Sequence, residues 1–213
     1  MLRSPHGLAT AVTVLLGVDV FLCLLSAGTE GWLLADPLAA AEAFAGIEAG
    51  GLALPAFAFA FALTGIATAV VFLIWFHRVR QNAGVFAPDS QTRTEGWAIG
   101  AWFIPLANLW IPRQIAVEVW RASRRDPSAA DGAREFTLLN SWWTCFVVGV
   151  VLDRLSSSLY DQAETLDALT TAATWSLAGY GFILAAGVLA ILFVRRLTSM
   201  QHTKATGMLS AAK

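Results

Sequence analysis

Charged residues are scarce in this chain. Lys, Arg, Asp and Glu make up 14% of its 213 residues and 57% are hydrophobic, whereas a soluble domain has about 25% charged residues. A water-exposed surface needs more charge than this, so the composition predicts an all-α, polytopic integral membrane protein in contact with the lipid bilayer. The net charge of −1 leaves no basic excess to neutralise phosphates, which argues against a nucleic-acid partner.

Cysteine and histidine are also few. Cys23 and Cys145 lie inside apolar runs and support neither a disulfide framework nor a zinc site of the usual spacing. We expect both to be small buried hydrophobic residues. The three histidines lie far apart in the sequence. We therefore predict no metal and no cofactor.

Four long apolar runs are predicted to be membrane-spanning helices, since a span needs about 20 mainly apolar residues. The runs are residues 7–27, 52–76, 136–152 and 172–194. The first run exceeds the 7–15 residues, roughly, of a signal-peptide core and lacks a clean cleavage site, so we expect it to be retained.

The basic residues are unevenly distributed. If both termini and residues 77–95 and 113–135 are cytoplasmic, 13 of the 14 Lys and Arg lie on that side and only Arg154 is translocated. Cytoplasmic loops are enriched in Lys and Arg. Arginine outnumbers lysine and alanine is abundant, which indicates a bacterial genome of high GC content. We therefore predict a multi-pass protein of the bacterial inner membrane with both termini cytoplasmic.

A fifth apolar run, residues 96–112, has both flanks on the cytoplasmic side in this topology. We predict a re-entrant or interfacial segment, because Pro105 breaks a helix, Asn108 bonds local backbone and Pro112 adds a second break. Indole rings favour the membrane interface, and the tryptophans of this run are Trp97, Trp102 and Trp110. The alternative is five full spans, which leaves a basic loop or the C-terminal arginine pair outside.

The break is followed by a predicted amphipathic helix over residues 112–125. Ile111, Ile115 and Val119 share one face, while Arg113 and other arginines lie elsewhere. Such a helix lies well along an anionic leaflet, so anionic lipid head groups are predicted partners; the alternative is a solvated basic loop. The whole chain, residues 1–213, is predicted to be one membrane domain that ends in a flexible tail over residues 200–213.

Three motifs carry a resemblance to a known family. The string H-R-x-R-x-N follows the second run, G-W-A-x-G-x-W-F-I-P-x-x-N-L-W-x-P comes next, and a helix ending in W-R-A-S completes the set. Together with Trp142-Trp143 they resemble domain of unknown function 4328, a family of mainly actinobacterial integral membrane proteins, over about residues 50–200. The motif positions are His77, Arg78, Arg80, Asn82, Gly96, Trp97, Gly100, Trp102, Pro105, Asn108, Trp110, Pro112 and Trp120.

The resemblance implies a bacterial inner-membrane location and a family built around a Pro/Asn-broken helix. It brings no assigned activity and no catalytic or binding role for the motif positions. From the residues themselves, His77, Arg78 and Arg80 at the end of the second run either bind phosphate head groups or fix the topology.

Two residues are candidates for solute chemistry. Asp19 is the one ionisable residue well inside an apolar run, where a charge costs about 2.5–3.5 kcal/mol on insertion scales, so it marks an ion path or a structural hydrogen bond. Asn108 beside Pro105 either lines a polar cavity or ends a half-helix.

The function follows less directly from the sequence than the topology does. Neither G-x-S-x-G, H-E-x-x-H nor a Walker A motif is present, which favours a non-enzymatic protein. The first hypothesis is a membrane scaffold or partner-binding protein with a cytoplasmic Trp/Arg-rich face over residues 97–125. The alternative is a small-solute or ion permease that uses Asp19 and the Asn108 break. A second copy of the chain or another membrane protein is the expected protein partner.

Overall fold

The computed structural model describes residues 2–39, 42, 45–46 and 53–211. Regular structure in these residues is helical, with no strand, which confirms the predicted all-α class. The α-helices include α1 (His6–Ala35), α2 (Ala53–Phe86), α3 (Trp97–Gly100), α4 (Ile111–Ser123), α5 (Thr137–Asp161) and α6 (Leu166–Ala211). Two single 3₁₀ turns lie at Pro88–Ser90 and Ala107–Leu109.

Four of the described helices are long and apolar enough to cross a membrane. They overlap the four predicted spans, and their mean hydropathy reaches 2.4 in α1, α2 and α6 and 1.2 in α5. The candidate spans are His6–Ala35, Ala56–Phe86, Thr137–Asp161 and Leu166–Met208.

The fifth apolar run forms no such helix. Between Phe86 and Ile111, the longest helix is the four-residue α3. A full span needs about 20 helical residues, so five full spans are not the observed architecture. The break has a local cause: Pro105 has no N–H to donate, and Leu106 adopts a positive φ of 64°.

The last helix extends well beyond its predicted span. Residues 200–211, which the sequence predicts to be a flexible tail, are the end of α6, and residues 212–213 lie outside the described part. Gln201 is 1% exposed, and Lys204 Nζ donates to the carbonyl oxygens of Ala122 (2.9 Å) and Arg124 (2.7 Å) at the end of α4. These tertiary contacts hold the end of α6 in place. The polar residues of the local sequence gave no indication of them.

The backbone contacts divide the chain into two compact units. The first unit comprises Met1–Leu15, Ala67–Ser141 and Leu189–Lys213, and the second comprises Leu16–Ile66 and Trp142–Val188. The core of the first unit is rich in aromatic and aliphatic side chains, among them Trp75, Phe76, Ile115, Leu139, Phe193 and Leu197. The core of the second unit includes Cys23, Trp142, Trp143, Ala172, Ala173 and Ala186. The single domain predicted from sequence stays a prediction.

Candidate functional site

A buried amide pair joins four parts of the first unit, namely the N-terminal segment and three helices. Asn82, near the end of α2, donates from Nδ2 to the Arg3 carbonyl (2.9 Å) and to Gln201 Oε1 (3.0 Å), and its Oδ1 accepts from the Arg3 N–H (3.0 Å). Gln201 Nε2 donates to the Val79 carbonyl (2.9 Å) and the Ser123 hydroxyl (3.2 Å). The N-terminal segment, α2, α4 and α6 are therefore held by two side chains that are 3% and 1% exposed.

Arg80 and Glu118 fasten the loop between α2 and α3. Arg80 is buried and its guanidinium donates to the backbone carbonyl of Arg93. Glu118, on α4, accepts from the Thr92 hydroxyl (2.5 Å) and the Thr92 N–H (3.3 Å). Sequence reasoning missed Glu118 as a site residue. The available signal was a carboxylate in the middle of an otherwise basic amphipathic helix.

His77 and Arg78 also contact backbone within the first unit. His77 Nδ1 lies 3.2 Å from the Glu95 carbonyl oxygen, and Arg78 Nη1 lies 3.4 Å from the Ser4 carbonyl oxygen. Gln81 adds a hydrogen bond from Nε2 to the Glu95 carboxylate (3.1 Å). The H-R-x-R-x-N string thus contacts both the N-terminal segment and the loop that follows α2.

The predicted amphipathic helix is present as α4, and its apolar face packs inside the first unit. Ile115 and Val119 are fully buried. Trp120 stacks on Phe193 with centroids 6.2 Å apart and donates from Nε1 to Glu135 (3.1 Å). Pro112 is buried at the start of the helix. The face of α4 that was expected to rest on lipid is therefore occupied by protein.

Several arginines of the predicted basic face bind partners within the first unit. Arg113 donates to Asn140 Oδ1 from Nη2 (2.7 Å) and Nε (3.2 Å). Arg121 and Arg124 each lie 2.5 Å from a carboxylate oxygen of Asp131. Hydrogen bonds from Arg121 and then Arg124 lower the pKa of Asp131 to about 2, and the Asp131 hydrogen bond raises the pKa of Arg121. These cations are partly neutralised by their own chain.

The exposed large apolar side chains of the predicted Trp/Arg-rich face lie within residues 97–110, the aromatic segment. Phe103 is 73% exposed and Leu106 is 69% exposed. Further large apolar side chains on its surface are Trp97, Ile104, Leu109 and Trp110. Trp102 is half-buried, and its ring packs edge-on against Phe72 and Phe76 of α2.

The aromatic segment turns sharply at Pro105. Leu106 has φ 64° and ψ −49°, and the Ala107 N–H donates to the Pro105 carbonyl at 2.8 Å. This is a γ-turn with a positive central φ, a strained conformation for a residue that carries a side chain. Asn108 is half-buried directly after it, and its backbone N–H donates to the Ile104 carbonyl at 3.1 Å.

The second unit contains a carboxylate that sequence reasoning missed. Glu30 accepts from the Tyr160 hydroxyl at 2.5 Å and from the Ser176 hydroxyl at 3.0 Å. The sequence predicts a first span that ends at residue 27, whereas α1 continues to Ala35. The available signal was a polar stripe at helical spacing on α1, which consists of Asp19, Cys23, Ser26 and Glu30.

A cavity of about 260 Å³ lies beside this carboxylate, within the second unit. Its polar lining includes Asp153, Ser156, Ser176 and Tyr180. Asp19 is half-buried, belongs to the second unit and does not line this cavity, whereas Asn108 belongs to the first unit.

Comparison with known families matches residues 39–199 to the family described as Domain of unknown function (DUF4328). The chain belongs to this family. The resemblance inferred from the motifs is thereby confirmed. No curated protein and no solved structure matches the chain.

In this DUF4328 member, all motif positions fall in the first unit. The H-R-x-R-x-N string binds neighbouring segments, and the G-W to W-x-P string forms the aromatic segment and the start of α4. Across the described residues, no group of three His, Cys, Asp or Glu side chains could hold a metal ion.

Proposed function

We propose that this protein is a non-catalytic membrane scaffold whose aromatic segment, residues 97–110, rests in the lipid at the cytoplasmic face of the bacterial inner membrane. One observation carries the proposal. The first unit is held together by buried hydrogen bonds of polar side chains, and the large apolar side chains of its aromatic segment are exposed. Phe103 and Leu106 are the most exposed of them. In water, each such side chain costs about 1.5–3 kcal/mol relative to an apolar environment.

Much of the backbone of the aromatic segment is hydrogen-bonded within the chain, as a lipid environment requires. Lipid offers no hydrogen-bond partners, so backbone groups must be satisfied internally. The N–H groups of residues 107–110 all donate to carbonyl oxygens within the segment, at 2.8–3.3 Å. Its tryptophans are residues of the kind enriched at membrane interfaces. The segment also follows α2, a candidate span.

The polar motif residues Asn82 and Arg80, together with Glu118, support a scaffold role in preference to a catalytic one. Asn82, Arg80 and Glu118 make their hydrogen bonds to other parts of the same unit. Such contacts hold a surface in a fixed shape. The permease hypothesis combines Asp19 with Asn108, which belong to different units.

Site-directed spin labelling tests the proposed position of the segment. Phe103→Cys and Leu106→Cys are labelled in a Cys23→Ala/Cys145→Ala background, in vesicles, and their collisions with oxygen and with a water-soluble nickel chelate are compared. Ala129→Cys, in an exposed loop, is the matched control.

We expect labels at positions 103 and 106 to collide preferentially with oxygen, which concentrates in lipid, and the label at 129 to collide preferentially with nickel. Equal nickel accessibility at all three positions would show that the segment lies in water and would contradict the proposal.

A further inference from the structure

The cavity in the second unit has no role in the scaffold proposal. It is lined by polar groups on α5 and α6 and by apolar side chains that include Phe61 and Ile183. Its volume of about 260 Å³ is below the roughly 300–1,000 Å³ of pockets for drug-sized ligands. An occupant must therefore be small, with both a polar and an apolar part.

We propose that this cavity is a binding site for a small organic cation, an amine with an apolar body. Asp153, an exposed residue of α5, is among the residues that line the cavity, and its carboxylate only accepts hydrogen bonds when ionised. Glu30 adds a second carboxylate behind the lining residue Ser176, whose hydroxyl donates to Glu30 at 3.0 Å.

The hydrogen bonds to Glu30 bring no positive charge to its carboxylate. Both come from neutral hydroxyl groups, those of Tyr160 and Ser176, and neither offsets an ionised carboxylate. Arg154, the neighbour of Asp153 on α5, is exposed and does not line the cavity. An ammonium group supplies both the missing charge and N–H donors.

The hydroxyl oxygens of the lining complete the match to an amine. Ser156 donates to the Asp153 carbonyl at 3.0 Å, so its oxygen keeps lone pairs that accept from an N–H. A bare calcium ion needs six or more oxygen ligands. The lining instead includes the apolar residues Phe61, Val150 and Ile183. The apolar wall therefore favours an organic cation.

Cys23, which lines the cavity, provides the test. In a Cys145→Ala background, two labelling rates of Cys23 are compared. One reagent is a permanently cationic trimethylammonium methanethiosulfonate, and the other is its anionic sulfonate analogue. Each rate is divided by the rate at which the same reagent reacts with a free thiol in solution. We expect the cationic reagent to be favoured about tenfold, because one nearby carboxylate changes the local concentration of cations by that order. Cys23→Ser is the control for background labelling.

Two further comparisons locate the preference. Asp153→Asn should reduce it several-fold, whereas Asp161→Asn, an exposed carboxylate on the same helix that does not line the cavity, should leave it unchanged. Benzylamine should slow the labelling of Cys23, and the neutral benzyl alcohol should not.

Equal effects of the two Asn variants, or equal protection by benzyl alcohol and benzylamine, would overturn the proposal, since they indicate surface electrostatics or a merely apolar cavity. Failure of Cys23 to react, together with no saturation transfer from the protein to benzylamine in NMR, would also overturn it.

Discussion

At the scale of single residues, the amide pair Asn82–Gln201 is the most consequential contact in the first unit. Its members are distant in sequence, and each makes two or more hydrogen bonds in a buried setting. Buried amides without partners are costly, so each side chain depends on the other. The motif string identified Asn82 as important, but nothing local to Gln201 indicated its partner, because the contact depends on how far α6 extends.

Asn82→Ala should therefore lower the free energy of unfolding by about 1–3 kcal/mol, since Gln201 Oε1 and the Arg3 backbone lose a buried partner. Thermal unfolding in detergent measures the change. Gln162→Ala, which removes an exposed amide bonded only to Ser158, should change stability by less than about 0.5 kcal/mol. Equal shifts for the two variants would contradict the importance of the amide pair.

Asp131 makes a second prediction at this scale. Its pKa of about 2 lies below the unfolded value of about 3.9, so its contribution to stability is present above pH 4 and is lost as the pH falls towards 2. NMR titration of the Asp131 carboxyl carbon should give a midpoint near 2. Arg121→Gln, which removes the main cause, should raise that midpoint towards the ordinary range; an unchanged midpoint would exclude Arg121 as the cause.

At the scale of elements, hydropathy and proline placement were sufficient for much of the architecture. The four apolar runs became four long helices, and the run with Pro105 became a broken segment. The left-handed conformation at Leu106 was not predictable, since leucine has no preference for positive φ. The helical state of residues 200–211 and the position of Glu30 were missed because tertiary contacts extend α6 and α1 beyond their apolar runs.

Replacing Leu106 tests the strain in the turn. A residue with a side chain in the left-handed region costs roughly 1–2 kcal/mol, and glycine avoids much of this cost. Leu106→Gly should therefore leave stability unchanged or raise it by up to about 1 kcal/mol. Leu109→Gly, at a position without positive φ, should lower it by about 0.5–1 kcal/mol in thermal unfolding. Equal losses would mean that Leu106 is not strained.

Close packing between α5 and α6 in the second unit supports another prediction. A Cβ at Gly149 would lie 2.6 Å from Ile183 Cδ1 and 3.2 Å from the Ile183 backbone nitrogen, whereas one at Gly181 meets nothing within 4 Å. Gly149→Ala should lower stability by about 1–3 kcal/mol through overpacking. Gly181→Ala should raise it by up to about 1 kcal/mol through helix propensity. Denaturation in SDS compares them, and a gain at both positions would exclude the close approach.

At the scale of the whole molecule, the distribution of the few charges makes a prediction about topology. With α3 only four residues long, the loops before and after the aromatic segment should lie on one side of the membrane. In a Cys23→Ala/Cys145→Ala background, Asp89→Cys and Ala129→Cys should react with an impermeant maleimide from the same, cytoplasmic side. Glu164→Cys should react from the other side. Labelling of positions 89 and 129 from opposite sides would overturn the predicted topology.

The two hydrogen bonds between Asn82 and residue 3 use only main-chain atoms of that residue, and Arg78 likewise contacts the carbonyl of Ser4. These contacts therefore fix the main chain at residues 3 and 4 and make no use of those two side chains. Nineteen of the twenty amino acids present the same N–H and carbonyl at position 3, and proline alone lacks the donor. Substitutions at position 3 other than proline therefore keep both hydrogen bonds to Asn82. A one-residue deletion, in contrast, would place a different peptide group opposite Asn82.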